Sequence, residues 1–363
     1  MDIVRSKYYG ILRGVTVGIS FFLQIGLMIF LAMYLMRYSI IAYFIFEVVS
    51  VITVFALVNN AESYKMSWIV IILVLPVSGL FLYFMWGRKR VNSSYFRRAR
   101  EIDARMVENL RQNEEIVQDL ERQHPNKVQI SRYLRKEGFP IYNNTHATYF
   151  GSGEKVLDAI LADLRQAKKF IFMEYFIVSD GIVWREILEV LTEKVKEGVE
   201  VKLLFDDFGT LRINTQAFRR DLKNRGIELS IFNPIHRDMA RMSFNYRNHK
   251  KITVVDGNIA YTGGFNLADE YANYVERFGH WKDTGVRIHG DAVFNFTLMF
   301  LEVWNAFKVP DLDYSIFRPR RWHEEPFEGD GYVAPYADTP LDNEALGENV
   351  YINILNQAKD YVY

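Results

Sequence analysis

The stretch Arg247–Gly257, RNHKKITVVDG, places His249, Lys251 and Asp256 in the spacing H-x-K-x4-D, and GGFN follows at Gly263–Asn266. Alternate side chains of a strand share a face, so in an extended segment His249, Lys251 and Thr253 point one way and Lys250 and Ile252 the other. A histidine beside a lysine suits an anionic target. The ammonium holds negative charge, while a neutral imidazole attacks an electrophile or moves a proton. Asp256 sits at a tight turn with Gly257 and Asn258, where it orients neighbours or simply forms the turn. Gly263 and Gly264 let a ligand approach the backbone, and Asn266 offers an amide to a phosphate oxygen. The set describes a phosphate cradle with a nucleophile. The plain alternative is a structural histidine in a strand.

Elements that must position this set are legible around it. Val156–Ala167 is amphipathic, KFIFMEYFIV is a buried-strand run, Trp184–Glu197 is a helix ended by Gly198, and VEVKLLFDD is a second strand. Phe218–Arg225 reads as a helix, IELSIF as a strand, KITVV and IAYTGG as a hairpin, TGVRI as a strand and Ala292–Phe307 as a helix. Strands alternating with helices predict an α/β layered fold. The region 311–349, rich in Pro, Gly and Asp, reads as loop.

Upstream, the chain is mostly apolar. Val15–Met36 (22 residues), Tyr38–Val58 (21 residues, with Glu47) and Met66–Trp86 (21 residues) are each long enough to cross the bilayer as a helix. Pro76 and Gly79 interrupt the third run, and Glu47 should face protein or an interface. Gly87–Arg90 with Arg97, Arg98 and Arg100 argues for a cytoplasmic C-terminal side, against the basic N-terminus with Arg5, Lys7 and Arg13. Val91–Gln123 reads as a juxtamembrane helix, capped by NSS and ended by His124-Pro125. The absence of cysteine excludes disulfides, thiolate zinc sites and a cysteine nucleophile. A formal net charge of +0 gives no sign of a nucleic-acid partner.

These residues resemble the phospholipase D superfamily, whose signature is H-x-K-x4-D followed by G-[SG]-x-N. EYFI at Glu174–Ile177, GVEVKLLFDDFGT at Gly198–Thr210, NYRNHKKITVVDGNIAYTGGFNLADEY at Asn245–Tyr271 and HWKDTGVRIHG at His280–Gly290 are similar to the bacterial cardiolipin synthases. Where that family usually has His after its Trp-Lys/Arg-Asp-Thr run, this chain has Gly285. The resemblance implies an α/β fold, a phospholipase D-like mixed sheet flanked by helices and preceded by two or three transmembrane helices. It implies catalysis without metal or cofactor through a phosphohistidine. His249, Lys251 and Asp256 form the implied catalytic set, with Asp256 mainly structural within it. Lys251 and Asn266 would stabilise the transition-state oxyanion, with Gly263 and Gly264 beside the substrate, and Asp283 would hold the far ring nitrogen of His249. The implied substrate is phosphatidylglycerol, converted in two displacements to cardiolipin and glycerol.

The implied general acid is a second histidine, yet no second H-x-K-x4-D occurs; His124, His146, His236, His280, His289 and His323 all lack it. Leu355–Tyr363, LNQAKDYVY, repeats Leu164–Phe172, LRQAKKFIF. His249 lies 77 residues beyond Phe172, so an equivalent histidine would fall near position ~440 of a longer chain. The expectation is an N-terminal portion of a two-motif enzyme, inactive or very weak alone, completed by a missing lobe or by homodimerisation. Its divisions are an anchor over 1–87, a linker over 88–139, a first catalytic lobe over 140–310, a loop over 311–346 and the start of a second lobe over 347–363. Competing readings are a membrane-bound phospholipase D or nuclease, and a non-catalytic scaffold that binds anionic headgroups. A nuclease should show a basic groove, whereas Arg241, Arg247, Lys250 and Lys251 are mixed with Asp256, Asp269 and Glu270.

Overall fold

The apolar-strand and amphipathic-helix runs build a seven-stranded mixed sheet between helices. The computed structural model describes residues 19, 22–23, 25–27, 29–34, 37–58, 63–84, 109–234, 247–277, 279–307, 313–319, 327–329, 331–338 and 345–362. Contacts divide the chain into one unit of Met1–Arg90 with Asn233–Arg247 and another of Val91–Phe232 with Asn248–Tyr363.

In the first unit, helix α1 (Ile40–Val58) carries the second apolar run. Among the described residues it is the one helix long and apolar enough to cross a membrane. Glu47 accepts a hydrogen bond from the Tyr43 hydroxyl one turn back, at 3.4 Å. The third run is not one continuous helix. It forms α2 (Ser63–Val74) and α3 (Pro76–Leu82), broken at Leu75, whose φ of −131° and ψ of 74° precede the proline. A Cβ on Gly79 would lie 2.6 Å from the Ile71 carbonyl oxygen, so only glycine permits this approach of α3 to the end of α2. The first apolar run falls partly outside the described residues. The basic clusters around Gly87–Arg100 and at the N-terminus, the NSS cap, Arg241, His236 and His323 lie wholly outside them.

The second unit opens with α4 (Glu114–Gln123), capped by the Asn113 side chain, and α5 (Val128–Lys136). The sheet follows, with β1 Thr145–Phe150, β2 Phe170–Tyr175, β3 Glu200–Asp206, β4 Glu228–Phe232, β5 Ile252–Val255, β6 Ile259–Gly263 and β7 Gly285–Gly290. The strand order is β1-β7-β6-β5-β2-β3-β4. β2, β3 and β4 pair in parallel through crossover helices; every other pairing is antiparallel. β1 was not legible as a strand in the sequence: only Thr145 is buried along it, because it closes one edge against β7.

Period-two alternation feeds two cores. Ile171, Met173 and Tyr175 of β2 and Val201, Leu203 and Phe205 of β3 meet α6 (Gly153–Gln166) and α7 (Ile182–Lys196). Phe172, Leu204, Ile252 and Val254 meet α9 (Val293–Phe307) on the other face, where the Phe172 and Phe300 rings stack at 4.9 Å. Helix α8 (Gln216–Asn224) lies between β3 and β4 in sequence and is capped by the Thr215 hydroxyl.

The sequence repeat is also a structural repeat. α6 ends at Gln166, with Ala167 at φ −55°, ψ 138° and its N–H donating to the Leu164 carbonyl. α10 (Leu346–Gln357) ends at Gln357, with Ala358 at φ −65°, ψ 133° and its N–H donating to the Leu355 carbonyl. The helix begins inside the region read as loop. Leu346 and Val350 pack against Leu134, but the face equivalent to the buried face of α6 is bare: Tyr351 is 68% and Leu355 52% exposed, against 1% for Ile160 and 0% for Leu164.

Candidate active site

His249, Lys251, Gly263, Gly264, Asn266 and Asp283 gather at the edge of the sheet where β2 and β6 end and β5 begins, whereas Asp256 does not. β5 begins at Ile252, paired with Glu174 of β2 and Thr262 of β6. His249 and Lys251 therefore precede the strand on an irregular segment rather than sharing a strand face as the sequence suggested. The ladder stops there because side chains take over the tethering. Asn248 N–H donates to Asp206 Oδ2 at 3.0 Å, and the Asn248 amide donates to Glu174 Oε1. Thr253, predicted to share the face of His249, is buried and hydrogen-bonded to the Tyr175 hydroxyl at 2.8 Å.

The His249 ring is exposed and lies against Phe176, with centroids 4.7 Å apart and the planes at 60°. Lys251, 7% exposed, donates to the His249 carbonyl at 2.8 Å, and its Nζ lies 3.1 Å from Nδ1 and 3.2 Å from Nε2 of the imidazole. Burial, and then the neighbouring ammonium, hold the imidazole below its ordinary range. Desolvation pulls Lys251 down to about 8, opposed by the negative charge of Asp283. At neutral pH the arrangement presents a neutral ring and a cation side by side, as attack on an anionic phosphodiester requires.

Asn266 is 3% exposed, and its Oδ1 accepts from the Ile177 N–H at 3.1 Å. Leu267 N–H in turn donates to the Ile177 carbonyl, at 3.1 Å. These bonds hold Asn266 beside the chain that carries Phe176. Gly263 and Gly264 make close approaches within the protein. A Cβ on Gly263 would stand 2.4 Å from the Thr284 carbonyl oxygen, and one on Gly264 2.3 Å from Asp283 Oδ1. Asp283 is buried, and its carboxylate accepts from Trp281 Nε1 at 3.2 Å and from the Thr284 N–H at 2.7 Å. No hydrogen bond joins it to His249 in this structure; its charge acts on Lys251 instead.

Asp256 stands at the opposite end of β5 from His249, at φ +50° and followed by Gly257 at φ +70°. Its carboxylate accepts from the backbone N–H groups of Lys168 (2.8 Å), Lys169 (2.7 Å) and Phe170 (3.0 Å). It locks the β5–β6 turn to the start of β2. Gly285, at the start of β7, faces α6: a Cβ there would lie 2.6 Å from Val156 Cγ2. The residues that sequence reasoning passed over are Phe176, Asn248, Lys250 and Glu174. The signal for Glu174 was the lone charge in an otherwise apolar strand.

Residues 160–278, which contain His249, Lys251, Asp256 and Asn266, match the family described as cardiolipin synthase, PLD-like domain, and residues 48–88 match the phospholipase D–nuclease N-terminal family. Over residues 160–278 the chain is thus similar to the phospholipase D-like domain of cardiolipin synthases. A protein of Streptococcus mutans serotype c, described only as uncharacterized, is 41% identical over 82% of this chain and 64% of its own length. A cardiolipin synthase of Listeria welshimeri serovar 6b is 29% identical over 91% of this chain and 69% of its own length. The chain thus spans about two thirds of these curated relatives. Among solved structures, the phospholipase D family member Nuc of Salmonella typhimurium covers 45% of this chain and 94% of its own, at 20% identity and a TM-score of 0.32.

Proposed function

We propose that this chain provides the membrane-anchored first catalytic half of a cardiolipin synthase. The observation that supports this best is the exposed His249 imidazole held beside the buried Lys251 ammonium, inside a domain of that family. In the first displacement, His249 attacks the phosphorus of phosphatidylglycerol, the bond from phosphorus to the glycerol oxygen breaks, and glycerol leaves with a proton from a general acid. In the second, the hydroxyl of another phosphatidylglycerol returns a proton to that general acid and attacks the phosphatidyl–imidazole, the phosphorus–nitrogen bond breaks, and cardiolipin and the free ring are released. One phosphodiester is exchanged for another, so no nucleotide is consumed. Lys251, and the Asn266 amide whose oxygen is already committed to Ile177, neutralise charge that grows in the transition state.

We infer that the proton donor comes from outside this lobe. The uncovered face of α10 carries Tyr351, Ile352 and Leu355 at positions equivalent to the core residues Ile160, Leu161 and Leu164 of α6. We assign that face to a second α/β lobe, which would bring the second histidine. Apolar segments at the start of the chain put the lobe at a bilayer surface, with the site on the cytoplasmic side according to the basic run after the third segment.

The test is conversion of labelled phosphatidylglycerol in vesicles, followed by mass spectrometry, for this chain and for one extended by about 120 residues, a length taken from the repeat period. The proposal expects cardiolipin and free glycerol from the extended chain, none from its His249→Ala variant, and little from the shorter chain. Phosphatidic acid as the sole product would make the acceptor water and overturn the synthase assignment. Equal activity of the two chains would overturn the assignment of a second lobe.

A further inference from the structure

Glu174 is the single charge in β2, it is 1% exposed, and it lies on the sheet face covered by α9. Its neighbours there, Phe172, Leu204 and Ile252, are apolar. A carboxylate in such a place costs stability unless it is paired, and replacing it with an apolar residue would be the simpler way to fill a core. What it touches gives the reason for its presence. Oε1 accepts from the Asn248 amide and lies 3.4 Å from Lys250 Nζ, while Oε2 is buried and makes no hydrogen bond to the protein. Asn248 and Lys250 are the two residues on either side of His249.

The same two residues are tied elsewhere. Asn248 N–H donates to Asp206 Oδ2 at 3.0 Å, Asn248 Oδ1 accepts from the Lys250 N–H at 3.3 Å, and Lys250 Nζ donates to the Met299 carbonyl of α9 at 3.3 Å. The backbone thus makes a short arch with His249 at its crown. Both feet rest on buried groups of β2, β3 and α9 in place of a sheet ladder.

We propose that Glu174 is a positioning residue for His249: by holding Asn248 and Lys250 from beneath, it aims the imidazole into the slot between Phe176 and the Lys251 ammonium. This deepens the proposed function and rests on His249 being the nucleophile there. Glu174 touches no reacting atom. It acts through the arch, so its loss should change the surroundings of the ring in a protein that is still folded. A purely structural carboxylate would change stability alone.

The test follows the ring directly. Histidine is labelled with 15N in the full chain, which has seven histidines, and the His249 signal is assigned by its loss in His249→Gln. The titration midpoint is then compared in the unaltered chain, in Glu174→Met, which keeps the volume but removes both contacts, and in Asn248→Ala, which removes one tether without entering the core. The proposal expects the midpoint to rise by about 0.5 pH unit or more towards the free-histidine value in both variants, as the ring leaves the slot. In the extended, active enzyme, kcat should fall about 10- to 100-fold with KM within about twofold. An unmoved midpoint in folded protein would overturn the proposal, as would an unchanged kcat. If Glu174→Met fails to fold, Asn248→Ala decides by the same criteria. The midpoint does not depend on turnover, so its result stands apart from loss of activity in His249→Ala, which tests the proposed reaction itself.

Discussion

Lys251 Nζ lies 3.1 Å from Nδ1 and 3.2 Å from Nε2 of His249. In the neutral ring one nitrogen carries an in-plane lone pair and the other an in-plane N–H, and the two directions diverge, so a single ammonium almost equidistant from both lies in line with neither. It acts on the ring as a nearby positive charge and leaves the unprotonated nitrogen open. The contact disfavours the imidazolium and so favours the neutral ring, the form the proposed attack on phosphorus needs.

A pH dependence follows. His249 is held below its ordinary range, so the neutral ring is lost only as pH falls through a midpoint below the usual histidine value. Lys251 loses its proton as pH rises through about 8. The rate of imidazole phosphorylation should therefore be bell-shaped, rising through the acid midpoint and falling above about 8, measured by rapid quench. Lys251→Met should raise the His249 midpoint and lower the rate about 100- to 1000-fold, because the positive charge is removed from both the ring and the oxyanion. An alkaline limb that persists in Lys251→Met would assign that limb to another group.

Asp256 is predicted to matter for stability more than for chemistry. Its carboxylate satisfies three backbone N–H groups at the start of β2, and its φ is +50°. Asp256→Ala should cost about 1–3 kcal/mol from the lost charge-assisted bonds. Asp256→Asn should cost less, because asparagine accepts hydrogen bonds and tolerates the left-handed region. Denaturation of the detergent-solubilised chain, followed by circular dichroism, gives the order. An alanine variant as stable as the parent would contradict it.

Gly264 and Asp283 are predicted to be coupled. A methyl on Gly264 would stand 2.3 Å from Asp283 Oδ1, and Asp283 is pinned by Trp281 and Thr284. Gly264→Ala should destabilise by about 1–3 kcal/mol through overpacking. The double variant Gly264→Ala, Asp283→Ala should lose less than the sum of the two singles. Additive costs in the same melts would mean that the two do not meet.

Gly285 has the same logic with a different partner. Its missing Cβ makes room for Val156 Cγ2, which would be 2.6 Å away. Gly285→Ala should destabilise, and Val156→Ala should recover part of the loss. A Gly285→His variant, introducing the residue usual in the cardiolipin synthases that the chain resembles, should fold poorly unless Val156 is also reduced.

The sequence carried the layered fold well because its signals are local. Strand runs such as FIFMEY and helix faces such as Val156–Leu164 declare themselves by period and composition. β1 escaped because an edge strand with one buried residue has little apolar pattern to show. The break at Leu75 was signalled by Pro76, but how α3 turns against α2 depends on where Gly79 meets Ile71. At the site, spacing named His249, Lys251 and Asn266, and the resemblance added Asp283; these four do converge at one end of the sheet. It could not show that the strand starts only at Ile252, because the tethers that end the ladder run from Asn248 to Asp206 and Glu174, 42 and 74 residues away. Nor could it show that Gly263 and Gly264 are glycine to admit Thr284 and Asp283 of the segment that leads into β7.

The most direct test of the account is to map protein-bound phosphorus, and its stability to acid and to base, after mixing the extended enzyme with phosphatidylglycerol labelled at the headgroup phosphate. The account predicts a base-stable, acid-labile label on the peptide containing His249, absent in His249→Ala. Turnover to cardiolipin with the label never found on that imidazole would contradict it.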